Sequence, residues 1–324
     1  MSERRFSRHI PNLISLVLLI ILGLAWFNRT ALYDAYRLRD YTPPAEVVSL
    51  ADQTTMTDKT RRLFYVYHPV IENSASFNDN CSGGEKTIVL GCYISNRGIY
   101  LFDVEDERLN GIKQVTAAHE VLHAAYDRLS SSERQLVNQQ LNDSYIQLDN
   151  QRITETIESY RSAGADVNNE LHSILATELP TLTPELETYY AHYFNDRQAI
   201  VKYSTNYEQA FTQRQATVQK IDSDLARLKS TIDELDAKLK LDGQSLNNAF
   251  EALQAQRSSG QVEQYNASVA AYNSRANRYN VEVKQEKQLV AQYNELVVER
   301  NKLALEENEL VRAIDSRSSS VQNQ

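Results

Sequence analysis

A heptad pattern in the last third of the chain restricts its fold more than any other feature. Two series separated by Ser258-Ser259-Gly260 repeat at the spacing of a coiled-coil seam. The first series is Val218, Ile221, Leu225, Leu228, Ile232, Leu235 and Leu239. The second series places Tyr-Asn at Tyr265, Tyr272, Tyr279 and Tyr293. Residues 206–316 therefore predict an antiparallel coiled-coil hairpin, with a dimer of extended helices as the alternative.

The partners of this hairpin are less restricted than its fold. Regular heptads favour a spacer or a self-association arm, and a docking arm for a protein partner or substrate is the alternative. The formal net charge of -9 argues against nucleic acid as a partner, because no basic field would attract phosphates. The polar residues 317–324 predict a disordered tail.

An apolar run near the N-terminus predicts a membrane helix. Residues 13–27 are almost wholly apolar and follow three arginines, and their length suits a short span. Trp26 and Phe27 at the end of the run are typical of an aromatic belt at a membrane interface. A cleaved signal peptide is the alternative. We expect residues 1–29 to be a signal anchor in the lipid bilayer and residues 30–59 to connect it to the rest of the chain.

The two cysteines bear on the cellular compartment. Cys81 and Cys92 flank a short segment that contains Ser82-Gly83-Gly84. Such a pair predicts a disulfide across a local loop, and hence an oxidising environment, with two free thiols as the alternative. Together with the anchor, the pair predicts a single-pass membrane protein. Its N-terminus would be cytoplasmic and its body extracytoplasmic, either periplasmic or at the cell surface.

The middle of the chain, residues 60–200, predicts a small α+β domain that is mainly helical. Residues 63–67 are aromatic and β-branched and predict a strand, and residues 87–94 and 98–104 predict a β-hairpin. An edge strand of that kind can hold an extended peptide by β-augmentation. Hydrophobic spacing and capping residues predict helices over 112–129, 130–148, 153–160 and 168–179, and another from Thr183-Pro184.

The sequence His119-Glu120-Val121-Leu122-His123 lies inside the first of these helices. Histidines four residues apart project from one helical face, where two imidazoles can bind one Zn²⁺. Glu120 can then act as a general base toward a zinc-activated water. The alternative interpretation is an amphipathic helix with a surface glutamate and two half-buried histidines.

The residues that follow the motif exclude one class of zinc site. Tyr126 and Leu129 stand where a metzincin has glycine and a third histidine. A carboxylate from a later helix is the remaining common solution, and it leaves a fourth metal position open.

With this motif the chain resembles the gluzincin type of zinc metallopeptidase, over about residues 60–197. The resemblance rests on the five-residue motif and on Asn169-Glu170-Leu171-His172-Ser173. It implies that His119, His123 and Glu170 bind zinc and that Glu120 is the general base. Glu178 is the rival third ligand. Ile174 stands where several members have an aspartate that orients a ligand histidine, and His172 is expected at the surface or behind the ligands.

A gluzincin also needs a hydrogen-bond donor for the oxyanion that forms during peptide hydrolysis. Tyr190, His192 and Tyr193 follow Pro184 and are the candidates, although aromatic residues also pack helices. The predicted function is a membrane-tethered zinc peptidase that cleaves extracytoplasmic proteins. The alternative is a non-catalytic scaffolding protein of the cell envelope that works through its coiled coil and keeps a structural or vestigial zinc site.

Overall fold

The computed structural model describes residues 10–81 and 88–317, and for residues 10–14 it describes the backbone alone. The described ranges are mainly helical. The helices are α1 (Ile10–Phe27), α2 (Arg29–Leu38), α3 (Ala45–Gln53), α4 (Asp58–Val66), α5 (Ser74–Cys81), α6 (Ile112–Asp127), α7 (Ser131–Ile146), α8 (Gln151–Ala163), α9 (Val167–Glu178), α10 (Pro184–Tyr190), α11 (Arg197–Ser258) and α12 (Val262–Ile314). The strands are β1 (Val70–Glu72), β2 (Gly91–Ile94) and β3 (Gly98–Phe102).

The chain forms two compact units. The first is Met1–Gln209 together with Val311–Gln324, and the second is Ala210–Leu310. In the first unit, α6 lies at the centre of the core and packs against α9, α4, α3 and the sheet. Its buried face includes Val115, Ala118 and Leu122, as the hydrophobic spacing predicts.

The sheet has three strands in the order β1-β3-β2. β1 is parallel to β3, and β2 is antiparallel to β3 with Gly91 opposite Leu101. The predicted hairpin is therefore confirmed, with shorter strands than expected, and Thr87 of its predicted first strand lies outside the described residues. Strand β2 lies at the edge of this sheet, so no other described strand pairs with its outer side.

The predicted strand over residues 63–67 is wrong, because residues 63–66 belong to α4 and Tyr67 is its C-cap. Thr57 caps that helix, and its side chain accepts a hydrogen bond from the backbone N–H of Thr60. The helical spacing then buries Thr60 and Phe64 on one face. Aromatic and β-branched composition favours strands only weakly, and a capped, amphipathic turn outweighs it.

Helices α7, α8 and α10 of the first unit agree with their sequence signals. Ser130 and Glu133 form the capping box at the start of α7. Gly164 ends α8 in the left-handed conformation, with φ of 79°. Thr183 caps α10, and Pro184 occupies its first turn.

The second unit consists of α11 from Ala210 to its end, the turn that follows and α12 as far as Leu310, and the two helices run antiparallel. Lys238 forms an ion pair with Glu282, and Arg214 forms one with Glu306 at 3.2 Å. The seam residues Ile221, Leu239 and Leu253 are buried, each with less than a tenth of its surface exposed. The predicted antiparallel hairpin is thus confirmed within this unit.

Among the described residues, no single helix has both the length and the apolarity needed to cross a membrane. Ser15–Phe27 and Arg29–Leu38 satisfy that requirement only as a pair, bent by 70°. The membrane anchor stays a prediction. Of the predicted disordered tail, residues 318–324 lie outside the described residues.

Candidate metal centre

Helix α6 places both histidines of the motif on one face, the side that also meets α9. The His119 and His123 rings are 4.7 Å apart between centroids, and their side chains are 14% and 12% exposed. Gly111 precedes the helix with φ of 107°, a left-handed conformation that glycine adopts without strain. The motif thus forms one partly enclosed surface on a helix that the core holds in place.

Helix α9 brings the predicted third ligand to the same surface. Asp166 caps α9 by accepting hydrogen bonds from the backbone N–H groups of Asn168 and Asn169. Glu170, in the first turn, places its Oε2 atom 3.8 Å from His119 Nε2 and 3.9 Å from His123 Nε2. Ligand atoms bound tetrahedrally to one zinc ion lie about 3.4 Å apart, so small movements bring these three atoms to metal-binding distance.

The Glu170 carboxylate supplies the test of whether a metal ion fits. Its Oε2 atom is buried and has no hydrogen-bond partner among the described residues. A buried polar atom left without a partner costs about 1–3 kcal/mol, and more when it is charged. A cation held by Glu170, His119 and His123 would remove that cost. Two imidazoles and a carboxylate suit zinc, but the same set also binds other divalent transition-metal ions.

Glu120 lies at the edge of this group and is only 5% exposed. One ligand atom each from His119, Glu120 and His123 lie within 4.8 Å of one another. Glu120 is therefore close enough either to bind a metal ion or to contact a molecule bound to one. Glu170 is the stronger third ligand, because its oxygen lies nearly the same distance from both imidazoles.

Asn169 orients one of the histidines, a role that the sequence left unassigned. His123 Nδ1 lies 2.9 Å from Asn169 Oδ1, an oxygen that can only accept, so the Nδ1–H donates this hydrogen bond. The lone pair of His123 is then on Nε2, the atom that faces Glu170. Ser173 Oγ lies at 3.4 Å from the same Nδ1 atom. Ile174 is buried in the core instead.

Burial and the charges of neighbouring residues shift the pKa values of His119, His123 and Glu170. Burial lowers the pKa of His123 to about 4, and the positive charge of His119 adds to this effect. Burial also acts to lower the pKa of His119, but its interactions with Glu170 and Glu120 outweigh that effect and raise the pKa. Burial acts to raise the pKa of Glu170, yet the two histidines lower it overall. At neutral pH His123 is therefore neutral and Glu170 ionised, the forms that bind a metal ion, whereas the raised pKa of His119 favours a protonated imidazole that must lose its proton to bind one.

The group lies on a cavity of about 570 Å³ whose walls come from α5, β2, α6, α8 and α9. Cys81 and Cys92 both line it, and their predicted disulfide is confirmed. Tyr93 and Tyr160 also line the cavity, although the sequence did not single them out. Burial raises the pKa of Tyr93, so its phenol stays protonated and can donate a hydrogen bond.

Several predicted site residues lie elsewhere. Glu178 forms an ion pair with Arg152 at 2.6 Å and does not line the cavity. Tyr190 is fully buried and donates its hydroxyl to the His172 carbonyl at 2.8 Å. His192 Nδ1 is 3.0 Å from the Tyr189 carbonyl, outside the cavity. The structure therefore does not bring either proposed oxyanion donor to the metal group.

His172 is also placed differently from the expectation. It is fully buried, and its Nε2 atom lies 2.9 Å from the Tyr189 hydroxyl. The rings of Tyr126, Tyr190 and Tyr193 surround it. The aromatic residues after Pro184 therefore pack around a buried histidine on the side of α9 that faces away from Glu170.

Comparison with known protein families, with curated proteins and with solved structures finds no match to this chain. The assignment of the site consequently rests on its own residues and their geometry.

Proposed function

We propose that this chain is a zinc-dependent peptidase. One observation carries the proposal: the buried Oε2 atom of Glu170 has no hydrogen-bond partner and lies almost equally far from His119 Nε2 and His123 Nε2. This arrangement suits a three-ligand zinc site with a fourth position open to the cavity, which is the arrangement of catalytic rather than structural zinc.

Each residue of the site would have a separate role in the reaction. His119, His123 and Glu170 would hold the ion, and a bound zinc ion supplies Lewis acidity that polarises the scissile carbonyl. The Glu120 carboxylate would take a proton from the attacking water and pass it to the nitrogen of the departing amine, which returns Glu120 to its ionised form. Tyr93 lines the cavity, and its buried, protonated hydroxyl has no hydrogen-bond partner among the described residues, so it replaces Tyr190 and His192 as the candidate oxyanion donor.

The edge strand supports a peptide as the substrate. The Phe102 N–H donates to the Leu90 carbonyl at 2.8 Å, and Gly91 lies opposite Leu101 in the next pair. Hydrogen-bonded and non-bonded pairs alternate along antiparallel strands, so the Gly91 peptide groups point away from β3 toward the open edge. An extended peptide that paired with this edge would lie along the cavity that contains Glu120.

The membrane anchor belongs to the same proposal. The apolar side chains of α1 from Leu16 to Leu22 are each about half exposed, so no other described element covers them. A lipid bilayer is the environment that would cover such a surface. The disulfide supports an oxidising compartment for the domain beyond the membrane.

Zinc content and peptide cleavage, measured together on four proteins, test the function. We expect the wild-type chain to bind one zinc ion per molecule and to cleave an unstructured protein substrate. Glu120→Gln should keep zinc and lose cleavage, whereas His119→Ala should lose both. Glu178→Gln is the matched control, because that glutamate pairs with Arg152 outside the cavity, and it should keep both. A wild-type chain that binds no zinc refutes the proposal.

The scaffolding alternative draws support from the second unit, whose long hairpin is stabilised by its own seam and ion pairs. It predicts that wild type and Glu120→Gln bind zinc equally and that neither cleaves any protein substrate. It also predicts a fourth protein ligand to the ion instead of an open position.

A further inference from the structure

Strand β2 approaches the general base so closely that only glycine fits at one position. A Cβ atom on Gly91 would lie 2.8 Å from Glu120 Oε1 and 2.9 Å from Glu120 Cγ. It would also lie 2.5 Å from Thr116 Cγ2. Non-bonded carbon atoms are in favourable contact at about 3.5–4.0 Å, so the backbone of Gly91 occupies the space directly against the Glu120 side chain.

The strand is not free to move away from Glu120. Gly91 is paired in register with Leu101 of β3, and the adjacent Cys92 is joined to Cys81 of α5 by the disulfide. The other side of the contact is equally fixed, because α6 lies in the core and the Thr116 hydroxyl donates to the Ile112 carbonyl at 2.8 Å. Any side chain at residue 91 would therefore displace the part that can rotate, which is the Glu120 carboxylate.

We propose that Gly91 is a positioning residue for Glu120. The missing side chain leaves the space in which the Glu120 carboxylate lies beside the metal-binding histidines, and the backbone of β2 prevents that carboxylate from rotating outward. The effect of Gly91 on catalysis rests on the proposed peptidase function, whereas its effect on the position of the Glu120 carboxylate does not. The Gly91 backbone thereby serves both as the open edge for an extended peptide and as the wall behind the base.

The test compares Gly91→Ala with Gly98→Ala, which alters the other strand of the same hairpin. A Cβ atom on Gly98 would meet the Tyr67 carbonyl at 3.0 Å and does not approach Glu120. Crystal structures of the wild type and of both variants are expected to show the Glu120 carboxylate displaced in Gly91→Ala alone. Zinc affinity should stay close to that of the wild type in both variants, because the atoms nearest an added Cβ at residue 91 belong to Thr116 and Glu120 and not to a proposed ligand.

In the active protein, kcat of Gly91→Ala should fall about 100-fold with little change in KM, the size expected for a reacting group misplaced by about 1 Å. Adding Thr116→Ser removes the Cγ2 atom but keeps the hydroxyl, and it should not restore kcat. Restoration by Thr116→Ser would assign the effect to Thr116 and overturn the proposal. An unmoved Glu120 in the Gly91→Ala crystal structure would overturn it even if the wild-type protein cleaves nothing, so the two proposals fail separately.

Discussion

Removing the Asn169 carboxamide is the sharpest test of how the chain prepares a histidine for metal binding. In Asn169→Ala, His123 Nδ1 loses its acceptor at 2.9 Å. The imidazole can then carry its proton on Nε2, the atom that faces Glu170, and in that tautomer Nε2 cannot bind a metal ion. We expect weaker zinc binding in a protein that is otherwise folded, because the three ligands themselves remain.

The magnitude follows from the contacts of His123. Loss of a partner that orients a ligand histidine lowers metal affinity about 10–100-fold, which is about 1.4–2.7 kcal/mol. Ser173 Oγ, at 3.4 Å from Nδ1, can take over part of the role after a small movement. Asn169→Ala should therefore lie near the tenfold end, and Asn169→Ala combined with Ser173→Ala near the 100-fold end.

Competition with a chromophoric chelator measures the zinc dissociation constant of each variant. Asn168→Ala, one residue away on α9, is the matched control, because the Asn168 Oδ1 atom accepts an exposed hydrogen bond from Asn142 of α7. It should leave the affinity unchanged. Asn169→Asp keeps an acceptor for the Nδ1–H and should bind zinc at least as tightly as wild type. Equal affinities for wild type and the double Asn169→Ala, Ser173→Ala variant would refute the role of Asn169.

Three further predictions concern stability. Burial lowers the pKa of His172 to about 3, so below about pH 6.5 the unfolded chain binds a proton that the folded chain does not. His172 should therefore account for about 2 kcal/mol of the unfolding free energy that the metal-free protein loses between pH 7.5 and 5, and urea titrations should show a loss smaller by about that amount in His172→Phe. Replacing both Cys81 and Cys92 by serine should cost about 3 kcal/mol in the same assay, and an unchanged midpoint would contradict this. Leu239→Asp should lower the thermal midpoint of the helical signal, whereas Leu241→Asp should not, because the two leucines are 5% and 67% exposed.

Local patterns in the sequence predict much of the fold. The heptad seam predicts the hairpin of the second unit, and Ile221 and Leu239 are indeed buried. The capping box of Ser130 and Glu133 marks the start of α7. The strand prediction for residues 63–67 is wrong because the Thr57 cap favours a helix more strongly than their composition favours a strand. Caps and spacing act within one helix, whereas strand propensity depends on neighbours that the sequence does not identify.

The same difference between contacts within one helix and contacts between elements applies to the candidate site. His119, Glu120 and His123 fall within one helical turn, so local geometry brings them together. Glu170 needed the resemblance to gluzincins, because its approach depends on how α9 packs against α6. The contacts of Asn169 and Gly91 depend on that packing and on the position of β2, and no spacing rule predicts them. Asn169 precedes the predicted ligand directly, and that polar neighbour was the only signal of its role.

Two other glutamates of the first unit have cationic partners, which makes Glu170 informative. Glu178 lies 2.6 Å from Arg152, and Glu187 accepts hydrogen bonds from the buried Arg197. Among the described residues, Glu170 holds the buried carboxylate oxygen without any hydrogen bond, and its distance of 3.8 Å to His119 exceeds a hydrogen-bond length. A cation placed between Glu170 and the two histidines would remove this cost. A buried glutamate held between two histidines, one of them oriented by Asn169, therefore argues for a metal ion as its partner.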